Sequence, residues 1–494
     1  AWTRSCGNCG RHSLRRDSGI RRRKTDLTRK AEFVKEKSQK LGFWSIVLLT
    51  INAVIGTGIF LSPGSVAKQV GSIAPEIYFC AALFAACLAV TFASASRYVV
   101  KSGAAYAYTE AAFGENAGLY VGATRFVAAS IAWGVMATGV VKTALQILRL
   151  DTSKISNVTM GFLCLMVILL IINFCGMQVF RFVSNLSTVG KLGALVLTVV
   201  AGLFLILTTG VNRLAEVELL TNDAGQKLIP ALTTSGFVTA VISAFYAFTG
   251  FESVASGSGD MENPEKNLPR ALPLAIGIIA LIYCGIVFVA MRIDPVSLVT
   301  SKDVVVLAAV FPNPLLKGLI VGGALISMFG INVAASFLTP RVLEAMASDG
   351  LVPKIFAKRT GSGVPIYAFL LTVALAIIIP MAFRYDMRGI MIISSISRFV
   401  QFVLVPLAVI TFYYGKNCGE VIPNPKRNFV LDVPFSLLSL GLTVFLLAKF
   451  KWAAQFSIEV GGKTVPNYYA IVAMLIGYIL LPAGVYFYRS RKKA

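Results

Sequence analysis

A single histidine, His12, occurs in the 494 residues, so no histidine-based catalytic triad or intramembrane metal centre can be built. No Gly-x-x-x-x-Gly-Lys-Ser/Thr loop is present to cradle nucleotide phosphates, which leaves ATP-driven pumping without support. Charged side chains make up only 14%, where soluble globular proteins carry about a quarter. The eight cysteines form no disulfide framework. Cys80, Cys87, Cys164, Cys175 and Cys284 fall in apolar stretches, where a thiol behaves as a small hydrophobe. No outer loop holds a cysteine, so a disulfide-linked partner subunit has no support. Cys6, Cys9 and His12 are one ligand short of a structural zinc site. Neither an enzyme nor a bound metal or cofactor is expected.

Apolar residues are what the chain has in excess: 56%, with a mean hydropathy of +0.76. A membrane-spanning helix needs about 20 mostly apolar residues. Twelve stretches qualify, near 44–62, 76–100, 118–147, 158–176, 183–209, 233–256, 271–291, 315–340, 366–384, 389–413, 430–450 and 467–488. The net charge of +23 follows this pattern. Residues 1–43 hold thirteen Lys or Arg against four Asp or Glu. Further basic residues sit in alternate loops: Arg97 and Lys101, Lys266 and Arg270, Lys354, Lys358 and Arg359, Lys416, Lys426 and Arg427. The positive-inside rule puts these loops and both termini in the cytoplasm, which requires an even number of spans. Attraction to anionic lipid accounts for the basic tail, and nucleic-acid binding is not expected. No apolar run precedes the first span, so the first residues do not read as a secretory signal. They suit a transit peptide or residues foreign to the native chain, and disorder is expected before about Thr28. Turn formers with proline separate the spans at Pro63-Gly64, Glu262–Arg270, Asp349–Pro353 and Asn424-Pro425. A short helix against the outer mouth is expected within 293–312.

Two of the spans are interrupted by glycine at their centres. The first carries Ile55-Gly56-Thr57-Gly58-Ile59-Phe60, and the sixth carries Ala247-Phe248-Thr249-Gly250-Phe251-Glu252. Glycine in a helix interior loses about 1 kcal/mol against alanine and frees the backbone to unwind. Unwound backbone at membrane depth survives only beside protein or a wet cavity. Matched interruptions in two halves of a hydrophobic chain point to a transporter's binding site. A break at Gly56–Gly58 offers N–H groups and a positive helix end to a carboxylate. A break at Phe248–Gly250 offers carbonyls to an ammonium, so the pair suits a zwitterion. The other reading of each glycine is close helix packing.

Ionisable residues at membrane depth mark a pathway or a proton relay by default. Lys191 lies inside a long apolar run, with snorkelling to the surface as its alternative. Glu252 either caps the unwound backbone or exchanges a proton. Arg125 and Lys142 read as snorkelling near the ends of the third span. Arg398 either pairs with a serine or carbonyl inside the bundle or takes part in transport. Tyr246 and Phe248 flank the sixth-span break, Tyr246 is a gate candidate, and Trp133 in the third span is a second one.

Three stretches resemble the amino acid–polyamine–organocation transporter superfamily, in its amino-acid permease branch. They are Gly56-Thr57-Gly58-Ile59-Phe60, the run Phe245–Glu252 followed by Glu262-Asn263-Pro264-x-Lys266-Asn-x-Pro269-Arg270, and Arg341-x-x-x-x-Met346-x-x-Asp349-Gly350-x-x-Pro353. The resemblance covers about residues 40–488. It implies an all-α, LeuT-type fold of five plus five inverted spans with two added C-terminal helices, working by alternating access. It implies a substrate carboxylate at Gly56, Thr57 and Gly58, with Ile55 beside them as a further substrate-binding candidate, and an amino group at the carbonyls of Ala247, Phe248 and Gly250. Lys191 matches a fifth-span lysine that, in sodium-independent members, occupies the place of sodium. One departure is Lys101-Ser-Gly-Ala-Ala-Tyr106, where the family commonly has a Pro-x-Gly-Gly-x-Tyr run with an acid upstream. This puts details of the cytoplasmic gate in doubt.

The expectation is a plasma-membrane secondary transporter of neutral L-amino acids, either proton-coupled or an exchanger, with Lys191 and Glu252 in coupling. Cationic amino acids or polyamines are the next substrates, and a channel the weaker rival. The layout expected is a basic tail at 1–40, a ten-helix transport core at 41–413, and two further spans with a basic C-terminus at 414–494.

Overall fold

The computed structural model describes residues 40–493 except 153, 222–224, 226, 302–304, 312, 383–384, 386, 451, 453–456, 461–462 and 467. The basic tail to residue 39, with Cys6, Cys9, His12 and the expected disorder, lies outside the described residues, as do the side chains of the serines beside Arg398.

Helix covers each of the twelve apolar stretches. The first interrupted span is two helices, α1 (Phe43–Val54) and α2 (Gly58–Val70). Then come α3 (Ala74–Ser96), the short α4 (Ala105–Phe113), α5 (Glu115–Ile147), α6 (Ile155–Phe174) and α7 (Met177–Thr209). The second interrupted span is α8 (Thr234–Tyr246) and α9 (Phe251–Val254), extended by a 3-10 turn to Asp260. It is followed by α10 (Pro264–Ile293), α11 (Pro295–Thr300), α12 (Val306–Ala309), α13 (Pro314–Leu338) and α14 (Pro340–Ser348). The chain continues through α15 (Ile366–Ala382), α16 (Met387–Tyr413), α17 (Phe429–Asp432), α18 (Pro434–Lys449), α19 (Tyr468–Leu475) and α20 (Leu481–Lys493). By length and composition, seven helices among the described residues can cross a membrane, or eight when the pair bent by 41° at residues 247–250 counts as one span. Phe43–Val54, Ile366–Met381 and Arg398–Tyr413 are shorter apolar helices.

The chain is predominantly helical, and two short strands, Ser457–Val460 and Lys463–Pro466, pair antiparallel before α19. The connections differ from expectation at three places. Pro63 does not end the first span but lies inside α2, because the helix restarts only at Gly58 and a proline so near a helix start removes few bonds. Pro264 opens α10 at its first position, and the helix runs on through Pro269 and Pro273. The outer connection holds two short helices, α11 and α12, both against α2.

Helix α7 shows why apolar composition alone misleads about packing. Its buried residues include Ser184, Ser187, Thr188, Lys191, Leu195 and Thr198, a mainly polar stripe at helical spacing. Phe182, Leu186, Val189, Val196 and Phe204 are exposed. Hydrocarbon solvates leucine as well as a protein interior does, so the polar stripe turns inward to find partners. It packs on α13 and α1. Asn52 in α1 donates to Ser184 Oγ at 3.0 Å. This contact carries Lys191 to the first break.

Candidate functional site

The two breaks touch. A Cβ on Gly58 would lie 2.7 Å from the Ala247 Cα, and one on Gly250 would collide with the Ala53 carbonyl. Gly250 also has φ +125°, a conformation that side-chain-bearing residues rarely adopt. A Cβ on Gly56 would meet the side chain of Ile331 in α13. At Gly58 and Gly250 close approach and unwinding are therefore the same device, each admitting the opposite backbone to its own bend, whereas Gly56 admits a side chain of α13.

At the first break, Ile55 turns to extended backbone (φ −72°, ψ 102°) and α2 restarts at Gly58. The carbonyls freed at the end of α1 are taken by Lys191. Its Nζ donates to Ile55 O at 2.6 Å and Asn52 O at 3.3 Å, and to Ser327 O of α13 at 3.2 Å. Ser327 Oγ donates to Ile55 O as well, at 3.2 Å. Lys191 is 0% exposed. The snorkelling alternative fails because α7 turns this stripe inward. The N–H groups of Gly56, Thr57 and Gly58 find no acceptor among the described residues.

The second break has the opposite bias. Glu252 Oε2 accepts from the Gly250 N–H at 2.7 Å, closing a donor of the unwound segment. The carbonyls of Ala247, Phe248 and Thr249 accept no hydrogen bond among the described residues. Glu252 is 0% exposed, and its other oxygen accepts from Arg398 Nη1 at 2.9 Å. Arg125 Nη2 lies 3.9 Å from that oxygen and hydrogen-bonds Ser253 Oγ. Arg125 does not snorkel: α5 begins at Glu115, so Arg125 sits about 15 Å along the helix and is 3% exposed. Lys142 reaches inward to the Tyr385 carbonyl at 2.9 Å.

A cavity of about 40 Å³ lies at the junction, space for more than one water. Among its lining are Thr57, Gly58, Tyr246, Ala247, Gly250, Arg125 and Arg398. Tyr246 and Thr57, one from each break, both line the cavity. Ile55, Gly56, Phe248, Lys191 and Glu252 stand behind the lining, and the Phe248 ring packs on Tyr283 with centroids 5.0 Å apart. Trp133 also lies off the cavity, its ring edge-on to Phe369 of α15. Sequence reasoning missed Asn52, Ser253 and Ser327. Asn52 and Ser253 carried a signal, a lone amide in an apolar helix and a hydroxyl beside Glu252. Among the described residues no group of three or more His, Cys, Asp or Glu could hold a metal ion.

A sequence model described as amino acid permease matches residues 41–480. The chain belongs to the amino acid permease family. It is accordingly a multi-pass membrane protein, and a relative of transporters rather than of enzymes. The permease is 39% identical over 463 residues to an uncharacterized transporter of Mycobacterium tuberculosis, covering 92% of this chain and 95% of that one. It is 24% identical over 444 residues to the vacuolar cationic amino acid transporter 2 of Arabidopsis thaliana, covering 84% and 66%. It is 25% identical over 407 residues to a branched-chain amino acid permease of Lactococcus lactis, covering 78% and 84%. The substrates in these names differ in charge, so membership alone does not set the side-chain pocket.

At the end of the bundle that carries the basic loops, the permease is tied by ion pairs. Asp260 accepts from Arg341 Nε at 2.7 Å and from Arg359 Nη1 at 3.2 Å, and Arg359 also pairs with Glu344. In the run that departs from the family pattern, Lys101 pairs with Glu110 at 2.6 Å and with Asp349 at 2.7 Å, while Arg97 pairs with Asp432 of α17. The acids absent upstream are thus supplied by other elements. Partial burial lowers the Lys101 ammonium, but its hydrogen bonds to Asp349 and Glu110 outweigh this and hold the pKa above the ordinary lysine value.

Proposed function

We propose that this permease is a sodium-independent secondary transporter of L-amino acids working by alternating access, by proton symport or by exchange. The observation that carries the reading is the complementarity of the breaks. The first keeps its donors free because Lys191 covers its acceptors, and the second keeps its acceptors free because Glu252 covers a donor. Such a site takes a carboxylate at Gly56, Thr57 and Gly58 and an ammonium at the carbonyls of Ala247, Phe248 and Thr249, while the Gly250 carbonyl, expected to join them, accepts from the Ser253 N–H at 3.0 Å.

Sodium independence rests on the Lys191 ammonium. It occupies three carbonyls from α1 and α13 that would otherwise suit a hard cation. Coupling is assigned to Lys191 and Glu252, and gating to Tyr246, which lines the cavity with Thr57. Cationic amino acids and polyamines fit less well, since two guanidinium groups face the cavity. A channel is the weaker reading, because both breaks close on each other.

Five-plus-five inverted spans are supported by the packing. Spans three and ten (α5 and α16) pack together, as do spans eight and five (α13 and α7), the pair that a five-span shift generates. The contacts of span one with seven and of span six with two are related in the same way. We place residues 41–413 in this core and residues 414–494 in two added spans, with both termini cytoplasmic and the protein in the plasma membrane among its lipids. Uptake of a labelled amino-acid panel into proteoliposomes, with and without sodium, tests the reading. Uptake of at least one amino acid in sodium-free buffer is expected; strict sodium dependence, or no uptake of any, contradicts it.

A further inference from the structure

Two guanidinium groups and one carboxylate stand together at the site, and they do not balance. Arg125 and Arg398 line the cavity and are 3% and 5% exposed, and Glu252 between them is their one anionic partner among the described residues. Tyr246 is the one other titratable side chain in the lining. Arg125 Nε and Nη1 and Arg398 Nε are buried with no hydrogen-bond partner among the described residues. Buried polar groups normally find partners, and a buried unpaired charge is strongly unfavourable. Lys191, behind the first break, adds charge of the same sign whenever it is protonated.

The substrate's head group cannot supply the missing charge. A zwitterion brings a carboxylate to the first break and an ammonium to the second, so the excess positive charge is unchanged. A cationic amino acid adds to it. A substrate with a second carboxylate lowers it and gives the idle guanidinium donors a planar, bidentate partner.

We infer that the side-chain subsite of this permease takes an anionic group, so that acidic L-amino acids of the aspartate and glutamate class are preferred over their neutral amides. Arg125 is the specificity-determining residue, since Arg398 is committed to Glu252 at 2.9 Å while Arg125 stands further off with two idle donors. This inference rests on the amino-acid-transport reading and replaces the neutral side chain expected from the sequence by an acidic one.

The test is competition for uptake into proteoliposomes of purified protein, with labelled L-glutamate and labelled L-glutamine as separate probes. Unlabelled aspartate and glutamate are expected to compete at concentrations roughly tenfold or more below those of asparagine and glutamine. Arg125→Gln should reverse that order while keeping the Glu252–Arg398 pair. Equal or better competition by the amides, with labelled glutamine still taken up, overturns the inference and leaves amino-acid transport standing. Uptake of neither probe, nor of any other labelled amino acid, overturns both. Where Arg125→Gln fails to fold, thermal stabilisation of the unaltered protein decides: glutamate should raise the melting temperature at concentrations where glutamine does not. Equal stabilisation by the two overturns the inference.

Discussion

The first break is held by a cation borrowed from another helix, and the second by an anion from its own. Lys191 crosses from α7 to gather Ile55 O, Asn52 O and Ser327 O, whereas Glu252 folds back two residues to the Gly250 N–H. The opposite charges leave opposite groups free, which in the proposed function makes two different half-sites of two similar interruptions. The means of support differs too. The first break depends on a contact across 136 residues of sequence, from Lys191 to Ile55, while the cap of the second is local. The second is tied to the rest of the bundle through Arg398 and Arg125, which share Glu252 as their acid.

Breaking the second half-site should have the largest effect. Glu252→Gln keeps an acceptor for the Gly250 N–H but leaves Arg125 and Arg398 buried without a counter-ion. Loss of one partner from a buried ion pair costs about 3–5 kcal/mol. A fall in melting temperature together with loss of uptake is expected; near-normal values for both would mean that the carboxylate is not the arginines' counter-charge. Gly250→Ala comes next. It forces a side chain into a positive-φ conformation and against the Ala53 carbonyl, a penalty of about 1–3 kcal/mol or more. Gly56→Ala should be milder, because it meets an isoleucine side chain that can shift. If the two glycine variants lose equal thermal stability and uptake, the contrast between the breaks is wrong.

Lys191→Ala sharpens the comparison from the first half-site. Three carbonyls lose their cation, so uptake in sodium-free buffer should fall roughly tenfold or more, and added sodium should restore part of it. Unchanged, sodium-indifferent transport would remove Lys191 from the account. The smallest effect lies away from both breaks, at Lys101. Its folded pKa is raised, so its contribution to stability is complete below the unfolded value near 10.5 and is lost as the pH rises through the higher folded value. Melting temperature measured against pH should therefore show no Lys101-dependent change between about pH 6 and 9. Lys101→Met should differ from the parent protein by less at alkaline pH than at neutral pH, and a difference that grew with pH would reverse the assignment.

The glycine breaks were legible because glycine at membrane depth is anomalous, whatever surrounds it. Lys191 was legible as a buried cation, but its ligands were not, since helical register does not say which face of α7 turns inward. Arg125 was misread for a related reason: distance along a hydrophobic stretch was taken from an assumed helix start, and α5 begins earlier. Pairs such as Arg97 with Asp432 and Arg398 with Glu252 join residues hundreds or scores of positions apart. Only the packed bundle brings them together. The hairpin at Ser457–Pro466 escaped because its strands are short and lie in a connection between apolar runs.

The central claim is that the donors of the first break and the acceptors of the second together read an amino-acid head group. It is tested most directly by taking the amino acid transported fastest in proteoliposomes and measuring competition by its decarboxylated amine and its deaminated acid. The account predicts that each analogue, lacking one of the two charges, competes about a hundredfold or more weakly than the parent. Competition by either analogue as strong as that of the parent would contradict it.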